Sequence, residues 1–288
     1  MQKKLSFTCS LLLLNSVLSA PSFAAGWFTG QDVYTVAHQR LLEGKTTDSF
    51  GSIVQAWQQQ PDETQQDNLN QLLRLAITED CGRSLSQVAM PDWLPNLAIQ
   101  REVIQSVNQT LLKLSINGTS RTELREVRLS RWPDLDLIVA TPSVAEGGYF
   151  NAEARRLEAP VEAGLYQLTI TTAQDETLNQ WVVLTSPSAK QRIGWKDSKN
   201  WRIEQGGLPN PACPSEVLSM SLYDLNDTSW TPLWTENVDG RLPTTLPEID
   251  VADGRYWLSV GLIESRWQGS IAILDIQRIT RPVDYPGF

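Results

Sequence analysis

Val161-Glu-Ala-Gly-Leu-Tyr-Gln-Leu-Thr-Ile170 returns ninety residues downstream as Val251-Ala-Asp-Gly-Arg-Tyr-Trp-Leu-Ser-Val260. Each copy starts its run at a glycine, Gly164 or Gly254, and places a tyrosine two residues later. Apolar residues then alternate with others. A period of two marks a strand with one buried face. Tyr166, Leu168 and Ile170 share one side of the first strand. Tyr256, Leu258, Val260 and Leu262 share one side of the second. The spacing predicts an antiparallel module of about ninety residues, made twice.

A Gly-x-Tyr start to a strand resembles the corner of immunoglobulin-like sandwiches, where a tyrosine hydroxyl returns to nearby backbone. The resemblance makes Tyr166 and Tyr256 structural tyrosine corners. It implies two tandem immunoglobulin-like β-sandwich domains. Working outward from the first copy, short β runs are expected at Glu102–Val107, Thr110–Ile116, Leu124–Leu129 and Leu135–Ala140. Gly164–Ala173 and Trp181–Thr185 follow, with turns at Asn117-Gly118 and Gly147-Gly148. Tyr149–Leu157 fits either a strand or a short helix. Around the second copy the runs are Arg192–Trp195, Trp201–Gln205, Glu216–Leu225, Thr231–Val238, Gly254–Ile263 and Gly269–Ile279. The bend Gly206–Pro214 carries Pro209, Pro211 and Pro214, which cannot donate to a ladder and so stay out of a central strand.

Upstream, the spacing changes to that of helices. Phe50, Ile53, Val54 and Trp57 share a helical face that Asp48 is placed to cap. Pro61 ends that helix, and Asp62 or Thr64 opens the next, with Leu69, Leu72, Leu73, Ala76 and Ile77 on one side. An earlier helix runs from Asp32 to Glu43, with Val33, Val36, Ala37 and Leu41 together. Three short helices make an N-terminal bundle, and Pro91-Asp-Trp-Leu-Pro95 closes it. The fold class is therefore α+β and multidomain. A signal peptide occupies 1–24, a helical domain 25–95, the first sandwich 96–187 and the second 188–288.

Lys3 and Lys4 precede an apolar run, Leu5–Leu18, too short to span a bilayer as a folded helix. Pro21-Ser-Phe-Ala24 places small residues at −3 and −1, so cleavage is expected after Ala24, with Ala25 as the alternative. Cys9 does not sit in a lipid-attachment motif. No transmembrane segment follows the leader, which predicts the periplasm, or alternatively secretion. The formal charge is −9. Loss of the leader leaves 22 basic against 33 acidic residues, a balance that repels phosphate backbones and argues against nucleic-acid binding.

In an oxidising compartment Cys81 and Cys213, 132 residues apart, are expected to form a disulfide bond. The alternatives are a buried free thiol and a bridge to another chain. A bond would tie the helical part to the second sandwich.

His38 is the only histidine, so neither a serine- nor a cysteine-histidine site can be built without it, and it lacks a second imidazole for zinc. No phosphate loop, metal spacing or cofactor motif occurs, so no catalytic, cofactor-binding or metal residue is assigned. Asp134 with Asp136, and Glu248 with Asp250, fit solvated loop charges, and Asp224–Thr228 lacks the spacing of a calcium loop. Six of eleven tryptophans fall after residue 187. Alternation sets Trp257 opposite Tyr256 and Leu258, which makes Trp257 and Trp267 the candidate binding surface.

The leader, the Gly-x-Tyr repeat and the tryptophan-rich last part together resemble an uncharacterised γ-proteobacterial family of periplasmic proteins, a domain of unknown function associated with a cell-wall-stress two-component system. The resemblance implies an accessory or regulatory role and supplies no catalytic residues. The functional expectation is a non-catalytic accessory protein of the cell envelope that contacts another envelope protein through its sandwiches. A polysaccharide- or peptidoglycan-binding module using exposed tryptophans is the alternative. A cryptic carboxylate hydrolase, with two acids in a cleft, is the third.

Overall fold

The computed structural model describes residues 32–186, 192–204, 210–227 and 231–285. The leader with Ala24, the linker at 187–190, the start of the Gly/Pro bend and Trp230 lie outside the described residues. The fold is mostly β and holds several sheets, with three helices first: α1 (Val33–Leu42), α2 (Thr46–Gln58) and α3 (Glu63–Ala76). Asp32 caps α1 by accepting from the amides of Tyr34 and Thr35, both at 2.9 Å. Asp62 and Gln65 form a reciprocal capping box at the start of α3. α2 departs from expectation. Lys45 is its cap residue, without a side-chain bond, and Asp48 sits inside the first turn. There Asp48 meets the positive end of the helix dipole instead of capping it.

Phe50, Ile53, Val54 and Trp57 are buried together with Leu69, Leu72, Leu73 and Ala76. Each of the larger aliphatic and phenyl side chains among them contributes roughly 1.5–3 kcal/mol by leaving water. Leu165 and Val183 join that cluster from the β part, so the helices share their core with the outer face of a sheet.

Among the described residues thirteen strands follow: β1 (Asn96–Gln105), β2 (Thr110–Thr119), β3 (Leu124–Arg131), β4 (Leu135–Ala140), β5 (Tyr149–Arg155), β6 (Gly164–Thr172), β7 (Thr177–Leu184), β8 (Ile193–Trp195), β9 (Trp201–Ile203), β10 (Val217–Asp224), β11 (Pro232–Asp239), β12 (Gly254–Gln268) and β13 (Ile271–Tyr285). Tyr149–Arg155 is a strand, which resolves the ambiguous run. One sheet has the order β4-β3-β6-β7, and a seven-stranded sheet runs β11-β10-β12-β13-β1-β2-β5. β1, β2 and β5 face the four-stranded sheet around one core, which holds Ile99, Ile116, Phe150, Val127, Tyr166, Leu168, Ile170 and Val182.

The sequence suggested a divide between residues 187 and 188, but the seven-stranded sheet takes β1, β2 and β5 from before it and β10 to β13 from after it. β1 pairs with β13 in parallel from Leu97↔Ile271 to Gln105↔Ile279. β12 and β13 are longer than the alternation suggested, 15 residues each, and their tip reaches the first core, where Ile271 and Ile273 are buried. The second core lies on the same sheet further along: Leu218, Met220, Leu222, Tyr256, Leu258, Val260, Leu262, Ile279 and Val283. Its cover is the short β8–β9 pair and the stretch containing Ile249, with Trp201 and Ile193 pressed onto the sheet.

Candidate functional site

The two tyrosines of the repeat make the same bond. Tyr166 Oη donates to the carbonyl of Glu162 at 2.7 Å, and Tyr256 Oη donates to that of Ala252 at 2.7 Å. Each hydroxyl satisfies the carbonyl four residues back and fixes the angle at which the chain enters its strand. Burial pushes the Tyr166 phenol up to about 12. Tyr166 lies in the four-stranded sheet and Tyr256 in the seven-stranded one.

Register then places the neighbours of Trp257. Tyr223, Trp257 and Pro282 stand opposite one another on β10, β12 and β13, and Tyr223 also faces Pro232 on β11. Directly opposed residues point to one side of a sheet. These four therefore form an aromatic and proline row on the face away from the second core. Trp257, Tyr223 and Pro282 are half-buried and Pro232 is exposed. The next row on that face is Thr235, Ser221, Ser259 and Thr280, where the hydroxyls of Ser221 and Thr235 are 3.1 Å apart.

Trp267 sits at the other end of β12, half-buried, in different surroundings. Its amide donates to Cys81 O at 2.9 Å, and the Arg83 guanidinium lies 3.8 Å from its ring centre. Gly269 N donates to Gly82 O at 2.9 Å. Cys81 is bonded to Cys213, with Cα atoms 4.9 Å apart. Asn210 Nδ2 adds a bond to Ile77 O at 2.8 Å. The disulfide and the β12–β13 tip therefore fasten the last part of the chain to the helical part at one point.

Between the two cores the in-facing positions turn polar. On β13 the series Ile271, Ile273, Asp275, Gln277, Ile279 passes from one core to the other; on β12 Leu262 is followed by Glu264 and Arg266; on β1 Ile99 is followed by Arg101. Arg101 grips Asp275 with two bonds, at 2.7 and 2.8 Å, and gives a third at 2.5 Å to Thr185 O. Arg192 pairs with both Glu216 and Glu264, and its amide donates to Gln277 Oε1 at 2.6 Å. Burial holds the Glu264 carboxyl above its ordinary range, against the pull of Arg192. Arg266 is buried, which pulls its guanidinium down to about 10. Its Nη2 donates to Val183 O at 3.0 Å, while Nε and Nη1 find no partner. A cavity of about 60 Å³ lies beside Arg101, Glu264, Asp275 and Gln277.

The seam also closes the free edge of β7. Gln268 accepts from Val183 N at 2.9 Å and donates to Trp181 O at 2.5 Å, and Arg266 and Arg101 take Val183 O and Thr185 O. Side chains thus do for this edge what a further strand does elsewhere. None of these residues was singled out from the sequence, yet a signal was there. The buried series Tyr256, Leu258, Val260, Leu262 continues at the same spacing into Glu264 and Arg266.

The sequence's chemical candidates lie apart. His38 is exposed on α1. Asp136 is exposed and accepts from Ser130 Oγ at 2.5 Å and from Arg128 at 2.6 Å, which hold its carboxyl below its ordinary range. Among the described residues no cluster of three or more His, Cys, Asp or Glu could hold a metal ion, and no helix is long and apolar enough to cross a membrane.

A family model described as "Protein of unknown function (DUF2861)" matches residues 27–284. No curated protein matches the chain. Among solved structures, the chain is similar to one titled "Biofilm associated protein - BSP domain", at 14% identity and a TM-score of 0.22, covering 67% of this chain and 30% of that one. It is also similar to the fibronectin(III)-like modules of Clostridium thermocellum CbhA, at 13% identity and a TM-score of 0.20, covering 64% of this chain and 92% of that one.

Proposed function

Because the chain belongs to this family of unknown function, we propose from its own geometry that it is an exported, non-catalytic binding protein of the cell envelope. It contacts another envelope protein through the sheet that carries Trp257. The first unit is an immunoglobulin-like sandwich, and the second is a partial copy grafted onto the same sheet. The two tyrosine corners support that description. The Cys81–Cys213 bond fits an oxidising compartment such as the periplasm.

The observation that carries the binding role is the row Pro232, Tyr223, Trp257 and Pro282 on one side of four paired strands. Tryptophan, tyrosine and proline give a large contact area at small conformational cost, the composition of interface centres. The strands beneath are held by a long β12–β13 pairing, so the row is presented on a rigid support.

The test is site-specific photocrosslinking in intact cells with a photoreactive phenylalanine analogue at position 257. A discrete adduct with one envelope protein is expected, weakened by Tyr223→Ala. An analogue at Val139, exposed on β4, serves as the control. The same diffuse labelling from both positions would sink the proposal.

A further inference from the structure

A second, larger recess lies away from that face, between the helices and the first sandwich. Its volume is about 730 Å³, within the roughly 300–1,000 Å³ that small-ligand clefts occupy. α2 forms one wall, the chain after Leu85 another, and β7 the third. Phe50 and Val54 lie at its base, and the half-buried Trp181 lines it.

The rim is made of amides: Gln55, Gln58, Gln87, Asn179 and Gln180. Among the described residues that line the recess none carries a charge, although a fifth of the chain is Asp, Glu, Lys or Arg, at 20%. The four glutamine side chains make no hydrogen bond to other described groups. Asn179 accepts from Thr169 at 2.7 Å through Oδ1, which leaves its amino group to spare. Each glutamine offers an acceptor and two donors on one plane.

The walls are fixed before any ligand arrives. Thr47 Oγ1 donates to Ser84 O at 2.7 Å, and Trp132 Nε1 donates to Gln58 O at 3.2 Å. Trp132 also meets Trp181 edge-on, with ring centres 5.5 Å apart. The backbone of the walls therefore needs little ordering, and the cost of binding falls on the glutamine side chains.

We infer that this recess is a binding site for a neutral oligosaccharide. Hydroxyl groups both donate and accept, which matches carboxamides better than any charged side chain, and a sugar's apolar face can lie on the indole of Trp181. A neutral extended peptide is the competing occupant, and it would be expected to add to the edge of β7. That edge is already taken: the outward carbonyls of Trp181, Val183 and Thr185 are bonded by Gln268, Arg266 and Arg101. The site does not depend on the protein-contacting row around Trp257.

The experiment is calorimetric titration of the purified full chain with chitotetraose, cellotetraose and maltotetraose, and with hexaglycine and an acidic oligogalacturonate as contrasts. Saturable heat is expected with at least one neutral tetrasaccharide. Gln55→Ala with Gln180→Ala should weaken it about tenfold or more, the effect of removing a pair of well-made hydrogen bonds. Gln55 is exposed and Gln180 half-buried, and circular dichroism of the double variant confirms the fold. Trp257→Ala should leave the heat unchanged, which separates failure here from failure of the protein-contacting role. The inference is overturned if no neutral saccharide saturates at millimolar concentration, if the double variant binds as tightly as the parent, or if hexaglycine or the acidic sugar binds better.

Discussion

β6 and β12 begin alike and end differently. Both start at a glycine, and both carry a tyrosine whose hydroxyl is 2.7 Å from the carbonyl four residues back. β6 then stays within a closed sandwich, with Leu168 and Ile170 at 0% exposure. β12 continues past its own core, turns charged at Glu264, and ends against the helices. The repeated segment therefore specifies a corner and the strand that leaves it. What surrounds each copy is decided by how much further chain is available to cover it. The first copy has a second sheet. The second has the β8–β9 pair, and it borrows stability by lending its long hairpin to the first.

The strongest way to break that arrangement is to cut its fastening to the helices. The Cys81–Cys213 bond closes a loop over a separation of 132 residues, worth about 4–5 kcal/mol if chain entropy alone is counted. Cys213→Ser is therefore expected to lower the unfolding free energy measured in urea by that order, and hydrogen exchange should rise in β12 and β13 before β6. Equal loosening of both copies would erase the asymmetry.

Next comes Gly82, whose φ is +89° and where an added Cβ would lie 2.1 Å from Trp267 O. Gly82→Ala should cost about 3–4 kcal/mol, since left-handed backbone strain adds to a clash with main chain that cannot move aside. Gly44 has a φ of +72° and open space, so Gly44→Ala should cost only about 1 kcal/mol. Similar losses at the two sites, measured by denaturant unfolding, would remove the β12–β13 tip as a fastening.

A third test uses one strand with two owners. Ile273 and Ile279 are both at 0% exposure, the first in the sandwich core and the second in the other. Each Ile→Ala change should cost about 3 kcal/mol. The exchange pattern should differ: Ile273→Ala loosens β6 amides and Ile279→Ala loosens β10 amides. If Ile273→Ala left β6 untouched, the shared core would be refuted.

Much of this was legible beforehand because alternation reports faces directly. The strand runs, the helix faces at Phe50–Trp57 and Leu69–Ala76, and the two hydroxyl corners all follow from local spacing. The β1–β13 pairing was not legible, since a parallel contact between residues 97 and 271 leaves no periodic trace in either strand. The amide-lined recess is hidden for the same reason: Gln55, Gln87 and Gln180 are far apart in sequence, and a glutamine on an exposed face looks the same whether or not another faces it. Trp257 and Trp267 looked alike from position alone. One lies in a sheet-face row and the other under Arg83, a distinction set by residues on other elements.

The finest comparison sets the two corners against each other. Tyr→Phe removes one hydroxyl and leaves a carbonyl short of its donor, at a cost of about 1 kcal/mol. Tyr166 is at 1% exposure and Tyr256 at 8%, so water has less room to replace the lost hydroxyl at Tyr166 and Tyr166→Phe should cost more. Alkaline pH gives a further test of the Tyr166 corner. Burial raises the Tyr166 phenol from 10.0 to about 12, so the folded chain keeps a proton that the unfolded chain releases first. Its contribution is therefore fully present below pH 10 and is lost as pH rises through about 12. Across that window the parent protein's urea midpoint should fall, and Tyr166→Phe should flatten the fall because a phenyl ring has no proton to release. An unchanged slope in Tyr166→Phe would mean that the buried corner does not set the alkaline limit.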